Sequence, residues 1–222
     1  MSYNIAIDGP AGAGKSTIAK QIAKKLSFIY VDTGAMYRAM ALFMLRKKIA
    51  GNETEKIEKE CENVDISISY IEGEQQVLLN GENVTALLRE EQVGNMASLV
   101  AKIGAVRKKL VSLQQKLAKE ADVIMDGRDI GTCVLPNADA KIYLTATSKE
   151  RARRRFEELQ AKNIDCNIDE IEVDIIARDE QDMNREVSPL KQAEDAVLVD
   201  SSDMGIEQVV ETIIEIFKEK TR

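Results

Sequence analysis

The sequence predicts an α/β fold, a five-stranded parallel sheet flanked by helices. Five short apolar runs have the length and flanks of buried parallel strands: residues 3–8, 28–31, 123–125, 142–144 and 196–199. Helix-forming stretches separate these runs, and strands that alternate with helices build parallel sheets. The chain has 222 residues, 44% of them hydrophobic, which is enough to form one large core. We therefore expect a single domain, residues 1–222.

One region breaks this alternation and predicts a small antiparallel β insertion. Residues 66–71 alternate in polarity with a period of two, and Glu72-Gly73 can turn. The next apolar run leads into Asn80-Gly81, and Asn-Gly between strand-like runs is a strong hairpin signal. We expect this insertion at about 61–95, with Thr85 as a candidate cap for the helical stretch that follows its strands.

A glycine-rich loop with the spacing G-x-x-x-x-G-K-S follows the first apolar run, and a helix-forming stretch comes directly after it. Glycines let consecutive N–H groups curve around a polyphosphate, and the start of a helix adds unpaired donors. Lys15, expected on an exposed loop, would reach the β- and γ-phosphates, and Ser16 would ligate Mg²⁺. The predicted triphosphate site consists of Gly9, Pro10, Ala11, Gly12, Ala13, Gly14, Lys15, Ser16 and Thr17.

Composition excludes several classes of site. Histidine is absent, which excludes a Ser-His-Asp triad, a Cys-His pair and a histidine-ligated metal. Phosphoryl transfer tolerates this absence, because its catalysis is mostly positioning and charge neutralisation. The net charge of −7 argues against non-specific binding to nucleic acid.

We expect a cytoplasmic protein that does not enter a membrane. No apolar stretch is long enough to span a bilayer, and no charged-then-apolar leader opens the chain. The cysteines, Cys61, Cys133 and Cys166, are far apart and lack C-x-x-C spacing. They indicate reduced thiols, not a disulfide framework or a zinc site.

The segment 32–38 follows the second apolar run, and in open α/β sheets ligands lie beyond the carboxyl ends of the strands. Arg38 would project from the first turns of a helix that starts there. Its guanidinium suits a bidentate grip on a second phosphate. A turn in which Asp32 or Thr33 only caps the helix fits the segment equally well.

The third apolar run ends at Asp126, an arrangement that resembles a Walker B aspartate, whose carboxylate holds Mg²⁺ directly or through water. Arg128 and Asp129 follow at the same edge of the sheet. The alternative is a polar loop with a local arginine–aspartate pair, which is common at protein surfaces.

Four arginines within residues 151–155 reverse the sign of charge locally. Arg151 and Arg155 lie four apart and repel each other unless an anion lies between them. They predict an anion-gripping helix and a lid at about 148–165. A solvated face with Arg153–Glu157 and Arg154–Glu158 pairs is the alternative.

Arg178, Asp182 and Arg185 have spacings that place them on one helical face. They could bind a ligand together. Asp179 and Glu180 in the same stretch make an intrahelical ladder of salt bridges an equal alternative.

Together these segments resemble the bacterial cytidylate kinase (CMP kinase) family of P-loop nucleoside monophosphate kinases. Residues 9–17, 32–38, 126–132 and 178–190 match in order and spacing, and the insertion lies where that family has a small antiparallel sheet. The resemblance implies a P-loop kinase fold with a helical lid. It also implies transfer of a phosphoryl group from ATP to CMP or dCMP, with Mg²⁺, by a monomer.

The resemblance also implies roles for individual residues. Residues that would bind the acceptor nucleotide are Thr33, Tyr37, Arg38, Ser98, Arg107, Arg128, Asp129, Arg178, Asp182 and Arg185. The catalytic candidates are Lys15, Arg128, Asp126 and Arg155. Arg151 would join the phosphate loop (residues 9–17) in binding ATP, and Ser16 would hold the metal.

The sequence also bears on which molecule accepts the phosphoryl group. Adenylate kinases would have Asp-Gly-(Phe/Tyr)-Pro-Arg where this chain has Arg128 and Asp129, and a GTP-dependent switch would need Asn-Lys-x-Asp, which the chain lacks. UMP remains an alternative acceptor, because it differs from CMP only at the base edge. A small metabolite is a further alternative that fits the insertion and the arginines less well.

Overall fold

The structure is a computed structural model that describes residues 2–222. These residues form eight strands and eight α-helices. The strands are β1 (Asn4–Asp8), β2 (Ile29–Asp32), β3 (Ile66–Ile71), β4 (Glu74–Leu79), β5 (Glu82–Asn83), β6 (Val123–Gly127), β7 (Ala140–Thr145) and β8 (Val197–Asp200). The helices are α1 (Lys15–Leu26), α2 (Thr33–Arg46), α3 (Thr54–Cys61), α4 (Glu91–Val100), α5 (Gly104–Glu120), α6 (Ser148–Gln160), α7 (Ile168–Met183) and α8 (Ile206–Lys220).

The main sheet has the strand order β2-β6-β1-β7-β8, and every neighbouring pair is parallel. The predicted five-stranded parallel sheet is therefore confirmed. Ile5, Ala6 and Ile7 of the central strand β1 are completely buried, because helices cover both faces of the sheet. The chain leaves β1 toward β2 on one side, and β7 and β8 lie on the other. This reversal opens a crevice at the carboxyl ends of the strands, where ligands bind in such sheets.

The insertion is an antiparallel sheet of β3, β4 and β5, as the sequence predicts. Glu72-Gly73 and Asn80-Gly81 form its two turns, and all four residues have positive φ angles. The prediction that Thr85 caps a helix is wrong. Thr85 is the first residue of a 3₁₀ turn, and its Oγ1 instead accepts a hydrogen bond from the Val77 N–H at 2.8 Å.

Two apolar clusters cover the two faces of the main sheet. One contains the methionine-rich face of α2, including Met36, Met40 and Met44, and it continues into the insertion through Val77 and Leu79. The other contains α1 and α8. The insertion therefore shares a core with α2, the helix that starts at the carboxyl end of β2.

Helices α6 and α7 pack against each other over the crevice side of the sheet. Thr147 caps α6, and Asn167 caps α7 by accepting from the Asp169 N–H at 2.8 Å. Helix α7 ends at Met183, so the prediction that Arg185 lies on its face is wrong. No helix within residues 2–222 has the length and apolar character needed to cross a membrane.

Candidate active site

A cleft of about 760 Å³ lies at the carboxyl edge of the main sheet. It brings together every candidate site residue except Gly9 and Pro10, which are buried. The lining candidates are Ala11, Gly12, Ala13, Gly14, Lys15, Ser16, Thr17, Thr33, Tyr37, Arg38, Ser98, Arg107, Asp126, Arg128, Asp129, Arg151, Arg155, Arg178, Asp182 and Arg185. These residues come from all parts of the chain, and the fold places them in one crevice.

The phosphate loop has a backbone that only glycine fits. A Cβ on Gly9 would lie 1.9 Å from the carbonyl oxygen of Leu144, and Gly12 and Gly14 have φ angles of 75° and 84°. Positive φ without steric strain is available chiefly to glycine. The loop can therefore present its N–H groups to an anion at the amino end of α1.

Lys15 is the first residue of α1 and is buried, with 6% of its surface exposed. The prediction that it lies on an exposed loop is wrong. Its Nζ donates to the carbonyl oxygens of Gly9 at 2.8 Å and Pro10 at 2.7 Å. Burial, aided by the charge of Arg128, lowers the pKa of Lys15. A bound polyphosphate would oppose this effect, because its negative charge favours the ammonium form.

Ser16 and Asp126 meet between the phosphate loop and β6. The Ser16 hydroxyl donates to Asp126 Oδ2 at 3.0 Å, and the Tyr30 hydroxyl donates to Oδ1 at 2.8 Å. Burial, together with the nearby charge of Asp32, raises the pKa of Asp126. A hydroxyl and a carboxylate are hard oxygen ligands, so this pair fits Mg²⁺.

At the start of α2, the helix cap and the cleft-lining arginine that residues 32–38 suggested are compatible with each other. Asp32 caps the helix by accepting from the Ala35 N–H at 2.9 Å, and it also lies 3.8 Å from Nη1 of Arg38. Arg38, in the second turn, lines the cleft. Thr33 is buried and donates through its hydroxyl to the carbonyl oxygen of Asp126 at 2.7 Å, which joins α2 to β6.

Four guanidinium groups surround one end of the cleft. We call Arg38, Arg128, Arg178 and Arg185 the arginine cluster. Asp182, which is 3% exposed, accepts from Arg128 Nε at 2.7 Å and forms an ion pair with Arg185. The buried Nε of Arg185 has no hydrogen-bond partner within residues 2–222. Desolvation in the cleft, together with the charge of Arg128, lowers the pKa of Arg178. The cluster therefore presents crowded positive charge that an anion would neutralise.

The proposed intrahelical ladder in α7 does not form. Asp182 bonds to Arg128 from the loop after β6 and to Arg185 beyond the helix. Asp179 pairs with Arg151 of α6 at 2.5 Å. Both carboxylates thus connect α7 to other parts of the cleft.

A buried pair of opposite charge lies next to the arginine cluster. Arg107, 5% exposed, forms an ion pair with Asp129 and donates to the Ser188 hydroxyl at 3.1 Å. The Arg107 guanidinium lies 5.7 Å from the centre of the Tyr37 ring. Burial raises the pKa of Asp129 against the opposing effect of Arg107. Ser98 lines the same cleft and donates to a carbonyl within its own helix, α4.

Arg151 is buried and joins α6 to the phosphate loop. Its Nε donates to the Ala146 carbonyl at 2.9 Å, and its Nη1 donates to the Ala11 carbonyl at 2.9 Å and to Asp179. Asp179 in turn accepts from the Ala11 N–H at 3.0 Å. The Arg151–Asp179 ion pair therefore makes hydrogen bonds to both the N–H and the C=O group of Ala11.

The other arginines of α6 carry the salt bridges of a solvated helix face. Arg153 pairs with the glutamate four residues on, as the sequence predicts. Arg154 pairs with Glu150 at 2.8 Å, so the predicted Arg154–Glu158 pair is wrong. Glu158 instead accepts from Arg155 at 2.7 Å, and half of the Arg155 side chain is exposed. All three arginines nevertheless line the cleft.

Sequence reasoning missed the role of Asp8. This buried carboxylate accepts from the N–H groups of Ile130 and Gly131, each at 2.7 Å, and so fixes the loop after β6. Burial, the largest cause, raises the pKa of Asp8 to about 6. Its position directly after the apolar residues 5–7 of β1 is the signal that could have identified it.

The sequence also gave no indication of the far end of the cleft, beyond the phosphate loop. This wall is formed by the connection from β8 to α8 and by the first turn of α8, and it comprises Ser201, Met204, Gly205, Ile206 and Val209. Arg154 donates to the Ser201 carbonyl at 2.6 Å and so joins α6 to this wall. No motif marks the segment, because its role depends on its place beside the phosphate loop.

Solved structures support the fold. The structure aligns over 97% of its length with a shikimate kinase from Bacteroides thetaiotaomicron, covering 98% of that chain, with a TM-score of 0.50 and 16% identity. It aligns over 99% of both chains with an uncharacterised protein from Eubacterium ventriosum, with a TM-score of 0.54 and 11% identity. At these identities the likeness concerns the fold alone.

Sequence comparison identifies the family. The family model for cytidylate kinase matches residues 5–219. A cytidylate kinase from Caldicellulosiruptor saccharolyticus is 54% identical over 96% of this chain and 95% of its own. Cytidylate kinases from a Geobacillus species and from Bacillus subtilis are 49% and 45% identical, each over 99% of this chain and 98% of their own. The chain therefore belongs to the cytidylate kinase family, and it is a phosphotransferase.

Proposed function

We propose that this enzyme transfers the γ-phosphoryl group of ATP directly to CMP and dCMP, which gives ADP and CDP or dCDP. One observation carries the proposal: a single cleft joins the phosphate loop to the arginine cluster and to the buried Arg107–Asp129 pair. Two nucleotides can therefore lie end to end with their phosphates in contact with cationic groups. The family relationship supports the same chemistry.

The donor nucleotide would bind at the phosphate loop, with Lys15 at its β- and γ-phosphates. Arg151 would assist, either directly or by holding Ala11 in place. Ser16 and Asp126 would hold Mg²⁺, which supplies positive charge to the phosphate oxygens when bound. The glycine backbone and the buried lysine keep these donors fixed before the nucleotide arrives.

The acceptor nucleotide would bind at the other end of the cleft. Arg38, Arg128 and Arg185 would grip its phosphate, with Thr33 and Tyr37 beside them. Arg178 and Asp182 would contact the ribose. These assignments follow the resemblance to the family, and all of these residues line the one cleft.

Charge explains how the arrangement would accelerate transfer. Two nucleotides bring about six negative charges into the cleft. Arginines and Lys15 neutralise this charge where it develops, and fixed positions favour in-line attack. Arg128 would act at the acceptor phosphate and Arg155 would approach from the predicted lid at 148–165. Lid closure would exclude water and so reduce wasteful hydrolysis of ATP.

The Arg107–Asp129 pair, with Ser98, supports cytosine as the base. Cytosine presents an amino group at the position where uracil presents a carbonyl oxygen, and a carboxylate accepts hydrogen bonds but cannot donate them when ionised. Asp129 would therefore accept from the cytosine amino group and repel the uracil oxygen. Arg107 would donate to the ring acceptors.

A panel assay tests the proposal. ADP release is measured with ATP and Mg²⁺ and each of CMP, dCMP, UMP, AMP, GMP and dTMP as acceptor, with the Lys15→Ala variant as the control. We expect CMP and dCMP to be the best acceptors and UMP to be slower by about tenfold or more, the effect of one mismatched polar contact. Equal rates with UMP, or ADP release that needs no acceptor, would contradict the proposal.

We also propose that the protein acts as a cytoplasmic monomer and as one domain, residues 1–222, with its insertion at about 61–95. The family relationship supports these assignments. Sedimentation at micromolar concentration in the presence and absence of CMP tests the monomer directly. A dimer that persists on dilution would contradict it.

A further inference from the structure

Strand β2 lies at the edge of the main sheet, so one side of its backbone faces away from β6. In a parallel strand, residues two apart direct their N–H and C=O groups to the same side. Tyr30 and Asp32 are such a pair, and their outward groups need partners, since a buried backbone group without one is costly. The structure supplies those partners from the insertion.

Two side chains of the insertion form hydrogen bonds with the outward backbone groups of this edge. The Tyr70 hydroxyl donates to the Tyr30 carbonyl at 3.0 Å. The Gln75 amide accepts from the Asp32 N–H at 2.8 Å and donates to the Asp32 carbonyl at 3.4 Å. Tyr70 and Gln75 are directly opposite each other in the β3–β4 ladder. The Gln75 side chain thus imitates the peptide group of a further strand, and we call this pair the edge clasp.

The edge clasp ends at Asp32, the residue that caps α2. Asp32, whose two backbone groups bond to Gln75, uses one carboxylate oxygen to cap α2. Its other carboxylate oxygen lies 3.8 Å from Arg38 of the arginine cluster. A Cβ on Gly34 would lie 3.2 Å from Asp32 and 3.6 Å from the Arg38 guanidinium, so this corner is closely packed. A small displacement of Asp32 would therefore displace Arg38.

We infer that Gln75 is a positioning residue of the insertion, which acts through Asp32 to place the Arg38 guanidinium for the acceptor phosphate. The inference rests on the proposed function, since it assumes that Arg38 binds that phosphate. The insertion does not depend on Gln75 for its attachment, because Val77 and Leu79 are buried in the core shared with α2. Loss of the Gln75 amide should therefore alter the position of Arg38 and leave the fold in place.

The test compares Gln75→Ala with a matched control, Gln76→Ala. Gln76 is the next residue of β4, and its side chain bonds to Asn83 within the insertion at 3.0 Å. We expect Gln75→Ala to lower kcat/KM for CMP about tenfold, because two hydrogen bonds that hold Asp32 are lost. The KM for ATP should stay within about twofold, and Gln76→Ala should resemble the wild type.

A double variant separates positioning from a general structural role. If Gln75 acts through Arg38, then Gln75→Ala should cause no further loss of CMP efficiency in an Arg38→Ala background. Full additivity of the two losses would overturn the inference. If Gln75→Ala does not fold, Gln75→Glu serves in its place, because it keeps the acceptor for the Asp32 N–H and loses the donor.

The outcomes distinguish this inference from the proposed function. A wild-type enzyme that phosphorylates no monophosphate overturns the proposed function, and the inference falls with it. An active wild type whose Gln75→Ala variant matches Gln76→Ala, or loses donor and acceptor efficiency equally, overturns the inference alone. An acceptor-specific loss that disappears in the Arg38→Ala background supports it.

Discussion

The two ends of the cleft are built in different ways. The phosphate loop is one continuous segment whose donors are backbone N–H groups, and its shape follows from its own glycines. The arginine cluster consists of side chains from α2, the loop after β6, α7 and the segment beyond α7. A site made of backbone groups is specified by residues that are neighbours in the sequence. A site made of distant side chains exists only when the whole domain has folded.

The two ends also differ in how they hold charge before a ligand binds. Lys15 is satisfied by two carbonyl oxygens of its own loop. Arg128 and Arg185 instead share the single carboxylate of Asp182, while Arg178 has its pKa lowered by desolvation and by Arg128. The arginine end therefore places several cations around few carboxylates, so a bound anion should stabilise it. Burial also lowers the pKa of Lys15, so the loop end should gain from a bound phosphate as well.

Lys15→Ala should have the largest effect, because it removes the side-chain cation from the loop end. We expect kcat/KM to fall about 1,000-fold, the loss typical of one donor at a developing charge. Lys20→Ala is the control, since Lys20 lies on the same helix and its ion pair with Glu74 is exposed. Undiminished turnover of Lys15→Ala would remove the phosphate loop from the mechanism.

Asp8→Asn tests the carboxylate that fixes the loop after β6. The pKa of Asp8 is raised from 3.8 to about 6 in the folded protein, so the fold favours the protonated acid. The favourable contribution of the protonated Asp8 carboxyl group to the free energy of unfolding is complete below pH 3.8, and it is lost as the pH rises through 6. At about 1.4 kcal/mol per pKa unit, the free energy of unfolding of the wild type relative to Asp8→Asn should fall by up to about 3 kcal/mol over that window.

Urea titrations of both proteins from about pH 3.5 to 7.5 measure this difference. Asp203→Asn, a change at an exposed aspartate, is the control. A constant difference between the wild type and Asp8→Asn would show that the Asp8 carboxyl group does not titrate in this range.

Arg185→Ala should separate the two ends most clearly. We expect the KM for CMP to rise about 30-fold, the effect of losing a charge-assisted contact, while the KM for ATP changes less than twofold. Steady-state kinetics with each nucleotide varied in turn measure both values, with Lys191→Ala as an exposed control. Equal loss for both nucleotides would mean that Arg185 is structural.

Arg155→Ala should have the smallest effect of these changes. We expect kcat to fall about tenfold with the KM for CMP unchanged, if Arg155 leaves Glu158 and approaches the transferred group when the lid closes. Arg153→Ala is the control, because Arg153 has salt bridges on the same helix. Identical kinetics of the two variants would restrict Arg155 to a surface role.

Local patterns predicted much of the fold and the loop end of the site. The length and flanks of the apolar runs identified all five strands of the main sheet, and Asn80-Gly81 identified a hairpin turn. The errors occurred where tertiary contacts decide the outcome. Lys15 was expected to be exposed and is buried, and Arg185 was placed on a helix that ends at Met183. Burial depends on packing against distant parts of the chain and so has no local signature.

By itself the sequence determined the α/β fold, the phosphate loop and the inserted sheet, because periodicity, glycines and turn residues act over a few neighbouring positions. Only the tertiary structure decided the charge pairing: Asp182 with Arg128 and Arg185, Asp179 with Arg151, and Gln75 with the backbone of Asp32. The physical reason is that ion pairs and hydrogen bonds require contact within a few ångströms. Residues far apart in the sequence reach that distance only after the strands have been ordered in the sheet.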